Sequence, residues 1–257
     1  NLAVGGTGKT PHTEYIITEL RYQYNLAVIS RGYKRETTGF VLATNHSTPK
    51  DIGDEPYQIY NKFLGEIPVA VCEDRCHGIR EVRRLNPDIN LILLDDAFQH
   101  RYVKPTVAIL LTEFSRPLFY DHLLPYGRLR EPIEGLNRAD IVVVTKCPEQ
   151  IKPMESRIFI NNLKTFPYQH ISFSRYTYGQ LVPLFPEKSY NIPFLDWLDC
   201  NDVILAVSGI GNPRPFVKYL KSFQFTLKIT TFPDHHNFTR KDIDIILKRF
   251  NSLDAQS

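Results

Sequence analysis

The sequence predicts an α/β fold with a mainly parallel sheet. Three observations lead to this fold class. Residues 3–10 form a glycine-rich phosphate-binding pattern, short apolar runs rich in β-branched residues recur along the chain, and helical or loop segments separate most of these runs. Short, continuous apolar runs are typical of strands that are buried on both faces, and their alternation with helices predicts right-handed crossovers.

The phosphate-binding pattern comes first along the chain. The segment AVGGTGKT fits a Walker A loop with Ala in the first position, which predicts a P-loop NTPase core. Backbone N–H groups of such a loop face a triphosphate, Lys9 lies against the β- and γ-phosphates, and the Thr10 hydroxyl reaches Mg²⁺. A helix predicted over residues 11–20 directs its N-terminal dipole at the same phosphates. The residues assigned to nucleotide contact are Ala3, Val4, Gly5, Gly6, Thr7, Gly8, Lys9 and Thr10.

Seven apolar runs are predicted as strands, and the segments between them supply further helices. The strands are residues 26–30, 67–71, 91–94, 107–111, 141–145, 203–207 and 225–230, and the helices are residues 74–85 and 215–220. Ligands of parallel α/β sheets gather at the carboxyl ends of the strands. Polar residues that directly follow a run are therefore the candidates for chemistry.

An acidic elbow, Gly53-Asp54-Glu55-Pro56, opens another predicted helix. Pro56 is expected at the N1 position of this helix, with acidic residues in the preceding turn. Two interpretations stay open at this point. Asp54 is a general base for an acceptor hydroxyl, as an Asp is in many phosphotransferases, or the elbow is only a good helix start.

The apolar run Leu91–Leu94 ends in two carboxylates, Asp95 and Asp96. This is the Walker B position of a P-loop protein, where a carboxylate reaches Mg²⁺ directly or through water. The pattern is weak alone and strong beside a Walker A loop. Gln99 and His100 follow and are expected to face the same cleft, with a polar helix start as the alternative.

A Pro-bounded loop holds Arg128, Arg130 and Glu131. Its guanidinium groups suit a phosphate and its carboxylate suits Mg²⁺, whereas the alternative is a solvated surface loop. Two later motifs also follow strands. Residues 208–213 form either an anion-binding turn or a tight strand-to-helix connection, and the segment around Asp234 and His235 suits an Asp–His arrangement that tunes a catalytic group.

Composition limits the remaining choices. A net charge of +3 gives no case for nucleic acid binding, and the four cysteines, without CxxC spacing, indicate reduced thiols rather than a metal site at Cys72, Cys76 and His77. No stretch of about 18 apolar residues and no signal peptide is present. The start at Asn1, which leaves only Asn1 to Val4 for the strand that normally precedes such a loop, indicates a piece of a longer protein whose N-terminal anchor lies upstream.

The domain organisation is predicted from a change of texture near residue 166. Residues 1–165 are expected to form the P-loop core. Residues 166–190 alternate roughly around a Gly-Gln turn and are expected to form a β-ribbon linker, and residues 191–257 are expected to form a small C-terminal α/β lobe.

Taken together, these blocks resemble the tetraacyldisaccharide 4'-kinases, which phosphorylate the lipid A precursor. The similarity lies in blocks that occur in the family's order over nearly the whole chain: residues 1–11, Ile29-Ser-Arg-Gly-Tyr33, Gly53–Pro56, Leu94-Asp-Asp-Ala-Phe-Gln-His100, Leu124-Pro125 with Leu129–Pro132, Ser208–Pro213 and Phe232–His235. Ala97 stands where the family usually has Gly, and Arg128 where Pro is common. Neither difference removes a chemical group.

The resemblance implies ATP and Mg²⁺ as cofactors and a lipid A disaccharide 1-phosphate as the acceptor, phosphorylated on its 4'-hydroxyl to give lipid IVA. It implies that Asp54 is the base, that His235 raises its reactivity, and that Asp95 and Asp96, assisted by Glu131, position Mg²⁺. It also implies work at the cytoplasmic face of the bacterial inner membrane, with no obligate protein partner. The further residues expected to line the cleft are Glu55, Arg75, Gln99, His100 and Arg130.

Three rival interpretations are kept. The first is a P-loop GTPase or metal-insertion chaperone, but Val4 replaces the early Lys of such proteins and residues 145–148 lack the Asp of a base-reading motif. The second is a kinase of a small soluble sugar or coenzyme. The third is an inactive fragment, because the strand before the P-loop is short.

Overall fold

The computed structural model describes residues 1–183, 195, 198–234 and 236–254. It divides into two compact units, residues 1–176 and 177–257. The predicted α/β class is confirmed, since helices alternate with mainly parallel strands in both units. Within the described residues, no helix is both long enough and apolar enough to span a bilayer.

The first unit contains a four-stranded sheet whose central strand was found by its apolar run. Strand β1 (Leu26–Ser30) is buried throughout and pairs in parallel with β3 (Val69–Val71) and β4 (Leu91–Leu94). The order is β2-β3-β1-β4, and the short edge strand β2 (Val41–Leu42) runs antiparallel to β3. The prediction missed β2, because two half-buried residues carry too little periodicity to indicate a strand.

Four helices belong to this sheet: α1 (Lys9–Leu20), α2 (Pro49–Ile52), α3 (Asp54–Lys62) and α4 (Arg75–Leu85). Helix α1 begins two residues before the predicted start. Helix α4 begins where expected, because its N-cap residue Asp74 accepts the N–H groups of the first turn. Apolar side chains of these helices and strands form two buried clusters against the sheet.

A second sheet in the same unit has three parallel strands in the order β5-β6-β7. The strands are β5 (Ile109–Glu113), β6 (Ile141–Thr145) and β7 (His170–Phe173). Two 3-10 helices, Leu118–Tyr120 and Ile133–Arg138, and helix α5 (Pro153–Leu163) complete this part. Strand β5 begins two residues later than predicted, and Val107, the predicted first residue, is exposed.

Residues 2–4 lie beside residues 128–130. Ala3 forms an antiparallel bridge with Leu129, Val4 donates its N–H to the Arg128 carbonyl over 2.9 Å, and the Arg130 N–H reaches the Leu2 carbonyl at 2.7 Å. Leu2 and Ala3 are buried in the core of the second sheet. This pairing fixes the entry to the phosphate-binding loop.

The predicted domain boundaries and β-ribbon stay predictions. Strand β7 lies at the start of the expected ribbon, but it pairs in parallel with β6 and belongs to the first unit. Residues 184–190, where the ribbon was expected to end, are outside the described part of the chain.

The second unit has a small core of its own. Strands β8 (Val203–Ser208) and β9 (Thr226–Thr231) pair in parallel, and helices α6 (Arg214–Leu220) and α7 (Arg240–Asp254) belong to the same unit. Its buried core residues are Ala206, Leu220 and Phe225.

The acidic elbow depends on one glycine. Gly53 has φ 90° and ψ 158°, a region that is essentially restricted to glycine, and a Cβ placed on it would lie 3.0 Å from the Tyr33 carbonyl oxygen. Helix α3 starts at the next residue, Asp54. Pro56 therefore occupies the third helical position, and the predicted N1 position was wrong. The helix tolerates this, because the first N–H groups have no partner inside a helix.

We expect Gly53→Ala to destabilise the chain by about 2 kcal/mol or more, because it adds a backbone clash to an unfavourable backbone conformation. The matched control is Gly39→Ala. Gly39 also has positive φ (73°), but a Cβ there meets no atom within 4 Å, so its cost should be about 1 kcal/mol. Urea unfolding of both variants measures the difference, and equal costs would contradict the assigned role of Gly53.

Candidate active site

The phosphate-binding loop lies at the carboxyl ends of β4 and β6. Lys9 Nζ is 3.5 Å from Oδ2 of Asp96, which follows β4. The buried Thr145 hydroxyl, at the end of β6, donates to the Thr7 carbonyl at 2.9 Å. The Asn1 side-chain amide also donates to the Thr7 hydroxyl. The sequence thus places its phosphate loop at the sheet edge where parallel α/β proteins bind ligands.

The loop conformation relies on Gly8, the N-cap of α1, which has φ 89°. A Cβ on Gly8 would lie 2.8 Å from the Tyr176 hydroxyl, so a larger residue would displace the Tyr176 side chain as well as strain the backbone. His12 Nδ1 lies 2.7 Å from the Gly8 carbonyl, and its Nε2 lies 2.9 Å from the Ser174 hydroxyl after β7. The first N–H groups of α1, at Lys9 and Thr10, lack intrahelical partners and form an anion-binding helix start.

Two predicted loop contacts are already engaged in the structure. The Val4 N–H is donated to Arg128, and the Thr7 N–H is donated to the Gly5 carbonyl at 2.7 Å. Ala3 is buried beside Leu129. Gly6 and residues 8–10 are therefore better placed to face a phosphate than Ala3, Val4 and Thr7.

Asp96 is a carboxylate held by cations. Arg130 Nη1 lies 3.0 Å from Oδ2, the oxygen that also faces Lys9. Burial alone would raise the pKa of Asp96, but the charges of Lys9, of the Asn1 ammonium (3.3 Å from Oδ1) and of Arg130 outweigh it and hold this pKa below the ordinary value. Asp96 has φ 44°, a left-handed conformation that Asp tolerates better than most residues.

Asp95, its neighbour, is in the opposite situation. Its side chain is buried, and the Thr13 hydroxyl donates to Oδ1 over 3.2 Å. Oδ2 is buried without a hydrogen-bond partner among the described residues. Burial, the Glu55 carboxylate and the Asp96 carboxylate raise the pKa of Asp95 to about 6. The Lys9 charge and the Thr13 hydrogen bond lower this pKa by less, so the negative charge of Asp95 is only partly compensated.

Helix α3 presents its N-terminus to this carboxylate. Glu55 is close enough to contribute to the raised pKa of Asp95, and Asp54, which is exposed, precedes it on the first turn. The helix is fixed to α1, since Gln58 Nε2 donates to Glu14 Oε1 at 2.7 Å and Lys62 pairs with the same carboxylate. Glu55 thus lies near Asp95, and Asp54 is its neighbour on the first turn of α3.

Glu131 is the centre of a separate network. Its buried carboxylate accepts Gln99 Nε2 at 2.9 Å, Arg138 Nη2 at 2.8 Å and Arg101 Nη2 at 3.0 Å. Burial alone would raise the pKa of Glu131, but these three donors hold it below its ordinary value. All of these described contacts are with nitrogen donors. The role of Glu131 as a Mg²⁺ ligand stays a prediction. Arg130 Nη1 reaches Gln99 Oε1 at 3.3 Å and joins this network to Asp96.

Arg75 and His100 lie around the start of α4. Arg75 is buried and donates to backbone carbonyls, including that of Asp96 at 3.4 Å, so it supports the loop after β4. His100 Nε2 is 3.9 Å from Asp74 Oδ1. Among the described residues, the ligand atoms of Asp74, Cys76 and His100 lie within 4.8 Å of one another and could hold a metal ion. This group differs from the Cys72, Cys76 and His77 cluster considered from the sequence. All four cysteines are free.

The sequence interpretation did not identify Lys146 as a site residue. A Cβ on Gly6 would lie 3.7 Å from Lys146 Nζ, and this ammonium is 3.3 Å from Glu113 Oε1. Lys146 has φ 55° and directly follows β6. Its position at the carboxyl end of a predicted strand was an available signal.

The motifs of the second unit meet each other. A Cβ on Gly211, in the turn after β8, would lie 2.9 Å from Asp234 Oδ2, so glycine permits this close approach. His236 Nε2 lies 3.1 Å from Asp242 Oδ2. Hydrogen bonds from Thr239, with a smaller contribution from His236, lower the pKa of Asp242 to about 2. His235, the predicted partner of Asp54, is outside the described residues.

Several known proteins are similar to this chain. The family model of tetraacyldisaccharide-1-P 4'-kinase, LpxK, matches residues 1–256. The tetraacyldisaccharide 4'-kinase of Bacteroides thetaiotaomicron is 49% identical, over 100% of this chain and 69% of that protein. That of Porphyromonas gingivalis is 41% identical, over 98% and 70% respectively. The crystal structure of the "apo" form of LpxK from Aquifex aeolicus in complex with ATP has a TM-score of 0.66 and 29% identity, covering 93% of this chain and 72% of that one.

The two neighbouring carboxylates should respond oppositely to removal of charge. The folded chain binds a proton at Asp95 up to about pH 6, above the ordinary value of 3.8, so its stability falls as the pH rises from about 4 to 6. Asp95→Asn should therefore stabilise the metal-free chain at pH 7 by roughly 2–3 kcal/mol and give little gain at pH 4. Asp96→Asn, the matched control, should destabilise it at pH 7, because Lys9 and Arg130 lose their partner.

Denaturant unfolding in EDTA at the two pH values measures both effects. Destabilisation by Asp95→Asn at pH 7, or a gain that does not depend on pH, would contradict the assignment of Asp95 as an uncompensated carboxylate.

Proposed function

The chain belongs to the tetraacyldisaccharide-1-P 4'-kinase family, and we propose that the residues around its phosphate-binding loop carry the family's phosphoryl transfer. The chain is an ATP-dependent kinase of lipid A biosynthesis that acts at the 4' position of its acceptor. Because the chain belongs to this family, the rival interpretations as a GTPase, a chaperone or a small-molecule kinase are set aside. The observation that carries the residue assignment is the meeting of Lys9, Asp95, Asp96 and the start of α3 at one sheet edge.

The nucleotide is proposed to lie on the loop from Gly6 to Thr10. The N-terminus of α1 and the Lys9 ammonium offer positive charge to its β- and γ-phosphates. Lys9 now faces Asp96, so a bound triphosphate exchanges one anionic partner of Lys9 for another. Arg130, which shares Asp96 with Lys9, keeps that carboxylate compensated during the exchange.

The donor set fits Mg²⁺, a hard cation that prefers carboxylate and hydroxyl oxygens. Among the described residues, Asp95 Oδ2 is buried without a hydrogen-bond partner, and the raised pKa of Asp95 supports a carboxylate that can accept more positive charge. We assign Asp95 as the nearest carboxylate ligand, with Thr10 as the hydroxyl ligand and Asp96 beside them. When bound, the ion neutralises charge on the transferring phosphoryl group and orients it. Glu131 is proposed to act at a distance, by holding Arg101, Arg138 and Gln99.

Asp54 is proposed as the base. Its carboxylate accepts the proton of the acceptor 4'-hydroxyl while that oxygen attacks the γ-phosphorus, and the bond to the departing ADP breaks. Gly53 fixes the position of Asp54 at the start of α3, and Glu55 on the same turn faces Asp95. His235 is proposed to raise the reactivity of Asp54.

The acceptor is proposed to be a lipid A disaccharide 1-phosphate presented at the cytoplasmic face of the inner membrane. A lipid acceptor requires a reaction site close to a bilayer surface, which supports this location. The proposal includes no nucleic acid and no obligate protein partner.

Transfer of labelled phosphate from ATP to lipid A disaccharide 1-phosphate tests the function. Labelled lipid is the expected product, and its absence with a folded, ATP-binding chain would overturn the proposal. We expect Asp54→Ala to lower kcat by about 10²- to 10⁴-fold, the usual contribution of a general base, with little change in ATP affinity. Glu19→Ala, which removes an exposed carboxylate farther along α1, is the control and should leave kcat unchanged. Full activity of Asp54→Ala would remove the base assignment.

A further inference from the structure

A groove of about 500 Å³ lies in the segment that follows β5. We call it the 118–133 groove. Its lining is mostly apolar, and its volume is in the range of pockets that hold small ligands. The lining residues used below are Leu123, Tyr126 and Leu129.

The rim of this groove exposes more apolar surface than a solvated loop requires. Tyr120 is 71% exposed and Tyr126 is 86% exposed, while Leu123 and Leu124 are each about half exposed. Four large apolar side chains within seven residues form a patch of the kind that marks a binding surface for an apolar partner.

The groove is preformed rather than a loose loop. The Asp121 carboxylate accepts the N–H groups of His122 and Arg128 at 2.9 and 3.0 Å, and the Arg116 and Arg128 guanidinium groups lie 3.2 and 3.3 Å from it. The Leu124 N–H reaches the Leu129 carbonyl at 2.9 Å. These hydrogen bonds and ion pairs hold residues 116–129 around the buried Asp121 carboxylate.

The groove is continuous with the reaction site through one short segment. Leu129 lines the groove and bridges Ala3, at the entry to the phosphate-binding loop. Arg130, the next residue, contacts Asp96. Successive side chains of an extended segment point to opposite sides. Leu129 therefore contributes to the apolar groove, and the next residue, Arg130, contributes to the phosphate site.

We propose that the 118–133 groove binds an acyl chain of the acceptor lipid and so positions the sugar for phosphoryl transfer. This inference rests on the proposed function. The family name specifies an acceptor with four acyl chains, and a preformed apolar groove one residue from the phosphate site suits such a chain. Asp121 and His122 also line the groove, but the Asp121 carboxylate is engaged by Arg116 and Arg128, and the rest of the lining is mainly apolar.

The direct test uses a lipid A disaccharide 1-phosphate that carries a photoreactive diazirine at the end of one acyl chain. After irradiation, mass spectrometry should find the label within residues 118–133, and unlabelled acceptor should suppress it. A diazirine phospholipid in the same micelles should label this segment weakly. Labelling mainly elsewhere, or equal labelling by the phospholipid, would overturn the proposal, the latter by indicating a general membrane contact.

A kinetic test uses the double variant Leu123→Gln/Tyr126→Ser, with the tetraacylated acceptor and its deacylated disaccharide 1-phosphate compared. We expect the preference in kcat/KM for the tetraacylated acceptor to fall about tenfold. Leu64→Gln removes a Leu after α3 that is more exposed than Leu123 (84% against 46%) and should keep the wild-type preference. An unchanged preference in the double variant would contradict the groove assignment. Failure of the wild-type chain to phosphorylate either acceptor would instead overturn the proposed function.

Discussion

Two adjacent carboxylates at the end of one strand differ in how far nearby positive charge compensates them, and the rest of the site depends on this difference. Asp96 is paired with Lys9 and Arg130, whereas Asp95 is buried with a single hydroxyl donor and an acidic neighbour at the start of α3. An uncompensated buried carboxylate is costly in a folded protein. The chain retains it where a divalent cation and a triphosphate are proposed to bind.

Arg130 connects this electrostatic arrangement to the rest of the first unit. Its side chain compensates Asp96 and reaches Gln99, which hydrogen-bonds Glu131, and Glu131 holds two further arginines. Its backbone pairs with Leu2, and Leu129 before it lines the 118–133 groove. A change in the charge at Asp96 is therefore expected to affect both the phosphate loop and the segment proposed to bind the lipid.

Local patterns predicted much of the fold and the heart of the site. The run Leu26–Ser30 gave a strand with its bounds, because every residue in it is buried, and the P-loop and Asp95-Asp96 motifs came together as expected. The partners of Glu131 and the position of Lys146 were not predictable in this way, because loop paths bring together residues far apart in sequence. The role of Gly53 was only partly predictable. The sequence shows a glycine at this position, but only the structure shows the Tyr33 carbonyl oxygen that would lie too close to a Cβ there.

The central claim is that Asp95 supplies the carboxylate ligand for the catalytic cation. Electron paramagnetic resonance of Mn²⁺, in the presence of a non-hydrolysable ATP analogue, measures that cation's affinity directly. The account predicts that Asp95→Asn weakens Mn²⁺ binding by more than about tenfold. Glu131→Gln, which changes a buried carboxylate already held by nitrogen donors, should weaken it far less. Unchanged Mn²⁺ affinity in Asp95→Asn, or a larger loss in Glu131→Gln, would contradict the account.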